Sequence, residues 1–382
     1  MPPVSSNPRN STAHAHPLGP ANRLTLRADA CLTHRFVRIE CRRCADACPT
    51  RALSVTTDGP HLSAGCVDCG RCAVACPTEA LAVPGFEAPA TTGTVLAIDC
   101  WQVSPSDSPP GAWRVPCLGG LSAAALLERL AESPETDLIL LDRGFCDACP
   151  ADGAATAGPH PAKAVLAEVQ SLLQNIGIAP ERWPRHLERP LPIRRMNRDG
   201  GTPRMEVRLS RRAFFTGRAP APETRPDTTP ETTTGHSRRR LLAALERLAS
   251  PGTALPTQLF PRLTAGADCA DHRLCASACP SGALQGVQDT EARGLRFAPD
   301  DCLACGVCVQ LCPEQALTLN IPETEPETGP APREPRWISR HTRRLCPECD
   351  TEHTTDALLC PACQRDWDLG REVWQTLFGT AA

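Results

Sequence analysis

The stretch "CVDCGRCAVACPTEAL", residues 66–81, sets four cysteines into eleven positions and follows the last with proline. It is not alone. The frame Cys-Pro-x-x-Ala-Leu occurs four times, beginning at Cys48, Cys76, Cys279 and Cys312, and the four copies fall into two pairs. A repeat of this kind outranks any other signal in deciding how a chain is built. The cysteine total is 23, an odd number that argues against a fully paired disulfide framework, and C-x2-C clusters point to metal. Proline costs little at a first helical position, so each frame is expected to open a helical turn, with its Ala-Leu pair one turn on as an apolar lid.

The spacing C-x2-C-x2-C-x3-C-P resembles that of the bacterial-type dicluster ferredoxin family, whose two paired runs hold two cubane clusters. Residues 24–86 and 258–321 are similar to that family. The resemblance implies two facing β-hairpins and two short helices per module, 4Fe-4S cofactors and one-electron transfer. It also implies crossed ligation: three cysteines of a run serve one cluster, and the fourth, before proline, serves the other. On that pattern Cys66, Cys69, Cys72 and Cys48 hold one cluster of the first module. Cys31, Cys41, Cys44 and Cys76 hold the second, with Cys31 reaching back because Arg38 stands where the first ligand belongs. In the second module Cys302, Cys305, Cys308 and Cys279 make a complete set. Cys269, Cys275 and Cys312 do not, since His272 occupies the second ligand position. A three-iron cluster beside a solvated histidine and a four-iron cluster ligated by the His272 imidazole both remain open. So three clusters are expected to be 4Fe-4S, and the fourth 4Fe-4S or 3Fe-4S. The plain alternative for these runs is a structural zinc site or a disulfide knot.

With 382 residues, forty prolines and 41 % hydrophobic residues there is no room for one large core. The expected fold class is an α+β multidomain chain, in which two ferredoxin-like dicluster modules flank a small α/β domain and a zinc ribbon ends the chain. The expected organisation runs from a disordered N-terminus (1–23) to the first module (24–86) and the α/β domain with four cysteines (94–180). A linker with a short helix near 237–250 follows (181–257), then the second module (258–321), another linker (322–340), and the ribbon with a C-terminal helix (341–382). Segments 219–236 and 322–336 are rich in Pro, Thr and Glu, as extended tethers are.

The α/β expectation rests on "TVLAID" and "DLILLD", short apolar runs of buried-strand type, alternating with "SAAALLERLAES" and "PAKAVLAEVQSLLQNI", which are apolar at helical spacing. Ser122 is the expected N-cap of the first helix and Pro161 a first-turn residue of the second. Cys100, Cys117, Cys146 and Cys149 fall at or beyond strand ends, where open α/β sheets bind ligands. The layout is faintly similar to that of small iron-sulfur subunits of hydrogenases and heterodisulfide reductases, which implies a 2Fe-2S cluster. The alternative is ordinary buried thiols, with Cys146 and Cys149 a redox dithiol.

Near the C-terminus, "CPECDTEHTTDALLCPAC" offers Cys346, Cys349, Cys360 and Cys363 as two knuckles for one tetrahedral ion. It resembles a zinc ribbon with a structural Zn2+, and rubredoxin-like iron would use the same knuckles. His353 is expected to be solvated. Beyond it, Trp367, Val373, Trp374, Leu377 and Phe378 share one side of a helix that either folds back or docks a partner.

The net charge of −3 gives no basic footprint for nucleic acid, and no stretch approaches a membrane span. No phosphate loop or dinucleotide fingerprint suggests a substrate site. The chain therefore reads as a cytoplasmic iron-sulfur electron-transfer protein without a catalytic pocket. Its expected partners are redox proteins or a larger oxidoreductase complex. A metal-cofactor maturation factor and an iron or redox sensor are the rival readings.

Overall fold

The computed structural model describes residues 16–18, 23–90, 93–152, 160–196, 236–322, 333–353 and 357–379. Most of the expected disordered N-terminus, all but the last residue of the tether at 219–236 and all but the ends of the tether at 322–336 lie outside them. The chain forms two compact units, Met1–Leu255 and Pro256–Ala382.

In the first unit, strands Thr25–Leu26 and Leu81–Ala82 pair antiparallel, with His16–Pro17 on the far side of the former. A hairpin of Leu53–Thr56 and Gly59–Leu62 faces them. Two single-turn helices, Arg43–Asp46 and Arg71–Val74, each bury one cysteine, Cys44 and Cys72. The core between these pieces is Leu24, Leu26, Ala30, Leu53, Ala80, Leu81 and Val83 together with those two thiols. In all four Cys-Pro-x-x-Ala-Leu frames the Ala-Leu pair is buried. The expected helical turn does not form, however. Each frame is a turn whose fourth residue, Arg51, Glu79, Gly282 or Gln315, has φ between 52° and 71°. A left-handed residue stops a right-handed helix, and the Leu that follows enters a strand in every copy.

The α/β part of the same unit is a four-stranded, wholly parallel sheet in the order Trp113–Val115, Val95–Cys100, Asp137–Asp142, Arg185–Glu188. Leu96, Ile98, Leu138 and Leu140 are buried, as parallel strands covered by helices require. Ser122 caps the helix Ala123–Glu132, its hydroxyl accepting the Ala125 N–H at 3.1 Å. Pro161 opens the helix Pro161–Asn175. Two elements lie in the stretch expected to be linker. The strand Arg185–Glu188 is an edge strand of polar composition, so it carries no alternating signal. The helix His236–Leu248 buries Leu242, Ala244 and Leu245 and packs on Ala123–Glu132, where Arg240 pairs with Glu128.

In the second unit, Arg262–Ala265 pairs with Leu317–Asn320, and the hairpin Leu284–Gln288 with Ala292–Phe297. The hairpin gains a third strand, Arg336–Thr342, which begins inside the stretch expected as linker. Helices Leu274–Ser277 and Val307–Gln310 complete the module. A two-stranded ribbon, Arg344–Leu345 with Glu352–His353, and the helix Pro361–Phe378 follow.

Candidate metal centres

Three of the four cysteine loops carry a common backbone signature. Asp68 and Gly70 flank Cys69 with φ of 50° and 77°, and Ala304 and Gly306 flank Cys305 with 49° and 79°. Asp271 and Arg273 flank His272 with 53° and 59°. His272 thus stands at the same backbone position as Cys69 and Cys305. An arginine in the left-handed region is strained. Here the buried Asp271 carboxylate pairs with both Arg273 and Arg293, which holds the loop in that shape.

The loops bring their sulfurs together in crossed sets. One cavity of about 350 Å3 is lined by Cys31, Cys41, Cys44 and Cys76, and another of about 340 Å3 by Cys48, Cys66, Cys69 and Cys72. The upstream Cys31 reaches its cavity because the inserted turn Leu32–Arg35 is pinned, with the Cys41 N–H donating to the Thr33 hydroxyl at 3.3 Å. In the second module a cavity of about 300 Å3 is lined by Cys269, Cys275 and Cys312, with His272 at its edge. The His272 Nδ1 lies 3.1 Å from Glu314 Oε2, and the ring is about half exposed. Cys302, Cys305 and Cys279 all crowd Cys308.

Such crowding is unfavourable for bare thiolates. Burial, then the charges of Cys76, Cys41 and Cys31, pushes Cys44 up to about 12. Burial, then Cys305, Cys302 and Cys279, does the same to Cys308. Thiols in these sites ionise only with a cationic core among them, so the donor sets fit the iron-sulfur cores that their spacing implies. Backbone N–H groups of Ala80, Leu284 and Ala316 donate to the sulfurs of Cys76, Cys279 and Cys312 at 3.3, 3.5 and 3.3 Å. Each comes from the residue just past or one beyond the left-handed position of its frame, which turns these amides toward the sulfur.

Cys100, Cys117, Cys146 and Cys149 line one larger cavity of about 600 Å3 at the carboxyl end of the parallel sheet. Burial, then the neighbouring sulfurs of Cys117, Cys149 and Cys146, raises Cys100 well above an ordinary thiol. This cavity abuts the first module. Cys69 and Cys117 share an apolar cluster with Ala151, and a methyl group on Gly120 would sit 2.2 Å from the Cys69 carbonyl oxygen. Only glycine permits that approach. Arg71 lies at the same junction, its Nε and Nη2 buried without a hydrogen-bond partner among the described residues, and its charge favours the thiolate at both Cys69 and Cys117.

Cys346, Cys349, Cys360 and Cys363 have their sulfurs within 4.8 Å of one another. Cys349 and Cys360 are 3.7 Å apart, against about 3.8 Å for the edge of a tetrahedron of Zn–S bonds. The N–H groups of Cys360, Glu348 and Cys349 draw Cys346 down to about 6. These amides thus favour the thiolate form at the first knuckle. His353, expected to be solvated, is buried. Trp367, Val373, Trp374, Leu377 and Phe378 are all exposed, and the helix that carries them has no buried residue.

Sequence reasoning did not single out three further side chains that meet at the sheet: Asp142, His160 and His186, whose ligand atoms lie within 4.8 Å of one another. They are separated along the chain and belong to no spacing pattern, so only the strand order unites them.

No helix among the described residues is long and apolar enough to cross a membrane. No curated protein matches this chain. The family model for the 4Fe-4S dicluster domain matches residues 37–80 and 268–316, which hold every cysteine of the smaller cavities except Cys31. The chain thus carries two modules of the 4Fe-4S dicluster ferredoxin family, one in each of its compact units.

Proposed function

We propose that the protein relays single electrons between redox partners through its two dicluster modules, as a subunit or partner of a larger oxidoreductase complex. The observation that carries this reading is the crossed convergence of four sulfurs on each cavity of the first module. When bound, an iron-sulfur cubane takes up and returns one electron at a time. The chain's own part is to hold and insulate. Buried Ala-Leu pairs cover the sites, and N–H donors to cysteine sulfur stabilise added negative charge.

A second site joins the relay on this reading. The quartet Cys100, Cys117, Cys146 and Cys149 has the donor set for an iron-sulfur group, and the orphaned guanidinium of Arg71 favours an anionic occupant there. Its packing against Cys69 puts it in line with the first module. The C-terminal quartet suits structural zinc, being fully supplied with thiolates.

Anaerobic titration of the reconstituted chain with a one-electron reductant tests the proposal. A relay accepts several electrons and returns them on reoxidation with iron and sulfide content unchanged. Iron or sulfide appearing in an added apo-acceptor protein would instead establish the assembly-factor reading.

In the second module, the pairing of His272 with Glu314 and its exposure favour three sulfur ligands and a three-iron cluster. The oxidised protein is then expected to give a sharp paramagnetic resonance near the free-electron value. That signal persists in His272→Ala and disappears in His272→Cys, since the latter restores a sulfur at the position equivalent to Cys69 and Cys305. A wild-type chain without the signal that acquires it in His272→Ala would make the imidazole a ligand.

A further inference from the structure

We propose that Asp142, His160 and His186 form a binding site for a divalent transition-metal ion, of the kind that zinc fills, which uses none of the cysteine ligands and is independent of the electron-relay reading. Asp142 ends a central strand, and His186 lies on the neighbouring parallel strand, paired in register with Leu140. His160 is the N-cap of the helix Pro161–Asn175.

Three observations carry the proposal. Both imidazole Nε2 atoms face the same oxygen, Asp142 Oδ2, at 3.4 and 3.3 Å. Charge-assisted hydrogen bonds are shorter, about 2.7–2.9 Å, whereas tetrahedral ligands bound at about 2.0–2.1 Å stand about 3.3–3.4 Å apart. The His186 Nε2 is buried and makes no hydrogen bond among the described residues. The third observation is that the Asp142 carboxylate is already oriented from behind, as metal ligands are. The Gly144 N–H donates to Asp142 Oδ1 at 2.8 Å, leaving Oδ2 for the site, and the Ala162 N–H donates to His160 Nδ1 at 3.2 Å.

That last contact is the cost of binding. A neutral His160 that offers Nε2 to a metal must carry its proton on Nδ1, so the Ala162 amide gives up its acceptor. A helix cap is worth far less than a coordinate bond to zinc. Two imidazoles and one carboxylate suit zinc or ferrous iron rather than calcium or magnesium. Three protein ligands leave a coordination position open. Asp142 and His160 also line the cavity of about 600 Å3, so the site adjoins the four-cysteine quartet without using its sulfurs.

The test uses the full chain, reconstituted with iron and sulfide, offered excess Zn2+ and then freed of loose metal by gel filtration. Wild type is expected to keep about two zinc ions per chain, one in the cysteine quartet and one here. Asp142→Asn and His186→Gln are each expected to keep about one, and His186→Gln, whose side chain does not line the four-cysteine cavity, should leave iron, sulfide and visible absorption unchanged. Zinc-edge X-ray absorption of wild type should show nitrogen and oxygen neighbours as well as sulfur. Equal zinc in wild type and both variants overturns the proposal, as does sulfur-only coordination in wild type. If a variant loses iron as well as zinc, the wild-type absorption spectrum decides.

Discussion

The double variant Cys76→Ala/Cys44→Ala loses no more than one cluster, about four irons, whereas Cys76→Ala/Cys72→Ala loses about eight. The difference follows from the cavities. Cys76 and Cys44 line the same one, although they belong to different runs, while Cys76 and Cys72 are four residues apart and line different ones. The reciprocal pair, Cys48→Ala with Cys72→Ala, should likewise remove a single cluster. Variants that act on one site are non-additive and variants on separate sites add, so iron and sulfide analysis of the single and double variants reads out the crossing directly. If Cys76→Ala and Cys72→Ala together cost no more than either alone, each run serves its own cluster and the crossed assignment fails. Cys31→Ala belongs in the same series and should track with Cys76→Ala.

The second large effect is expected at a pair of charges that no cysteine sulfur is bonded to. The Asp99 side chain is fully buried and Arg143 nearly so, and the guanidinium grips the carboxylate with both Nε and Nη2, at 3.3 and 2.7 Å. Ser108 Oγ and the Cys100 N–H also donate to Asp99, at 2.9 and 3.0 Å. This knot ties the ends of the two central strands together beneath the thiol-lined cavity, and Arg143 is part of the cavity wall. Asp99→Ala leaves an uncompensated buried cation and should cost about 3–5 kcal/mol. Hydrogen exchange localises the loss. Amides of Val95–Cys100 and Asp137–Asp142 should exchange roughly 10²–10⁴ times faster, while those of the second unit should be unaffected. Protection unchanged in those strands would mean that the pair contributes nothing to holding the sheet. Replacing both partners by apolar residues of similar size should recover much of the loss, because the penalty comes from the orphaned charge.

Much of the chemistry was legible in the order of residues because a cluster loop is a local object. Cys66, Cys69 and Cys72 reach one cavity by their spacing within one turn, and the left-handed residues that shape the turn recur at fixed offsets. The same holds for the two knuckles at Cys346 and Cys360, and for the Ala-Leu lids, which are buried in all four copies. The apolar runs at 95–100 and 137–142 announced buried parallel strands for the same reason, since burial on both faces leaves only one kind of composition. What misled was equally local. Proline after cysteine suggested a helical start, but the left-handed fourth residue of each frame turns the chain into a strand instead. Polar composition concealed the strands Arg185–Glu188 and Arg336–Thr342, because an edge position asks for little apolar surface.

The sequence by itself determined which thiols share a loop, how many metal centres those loops can build, and that the two modules are repeats. Tertiary structure decided everything that depends on which strand lies beside which. Sheet order alone brings Asp142 to His186 and to His160 at the next helix cap, and sets Asp99 against Arg143 across 44 residues. Close approach of Gly120 to the Cys69 backbone joins the four-cysteine cavity to the first module and leaves Arg71 buried between them. Ligand spacing is written in bond lengths along a few residues. Side chains dozens of positions apart meet only after the hydrophobic faces of helices and sheet have chosen their partners, and no pattern along the chain records that choice.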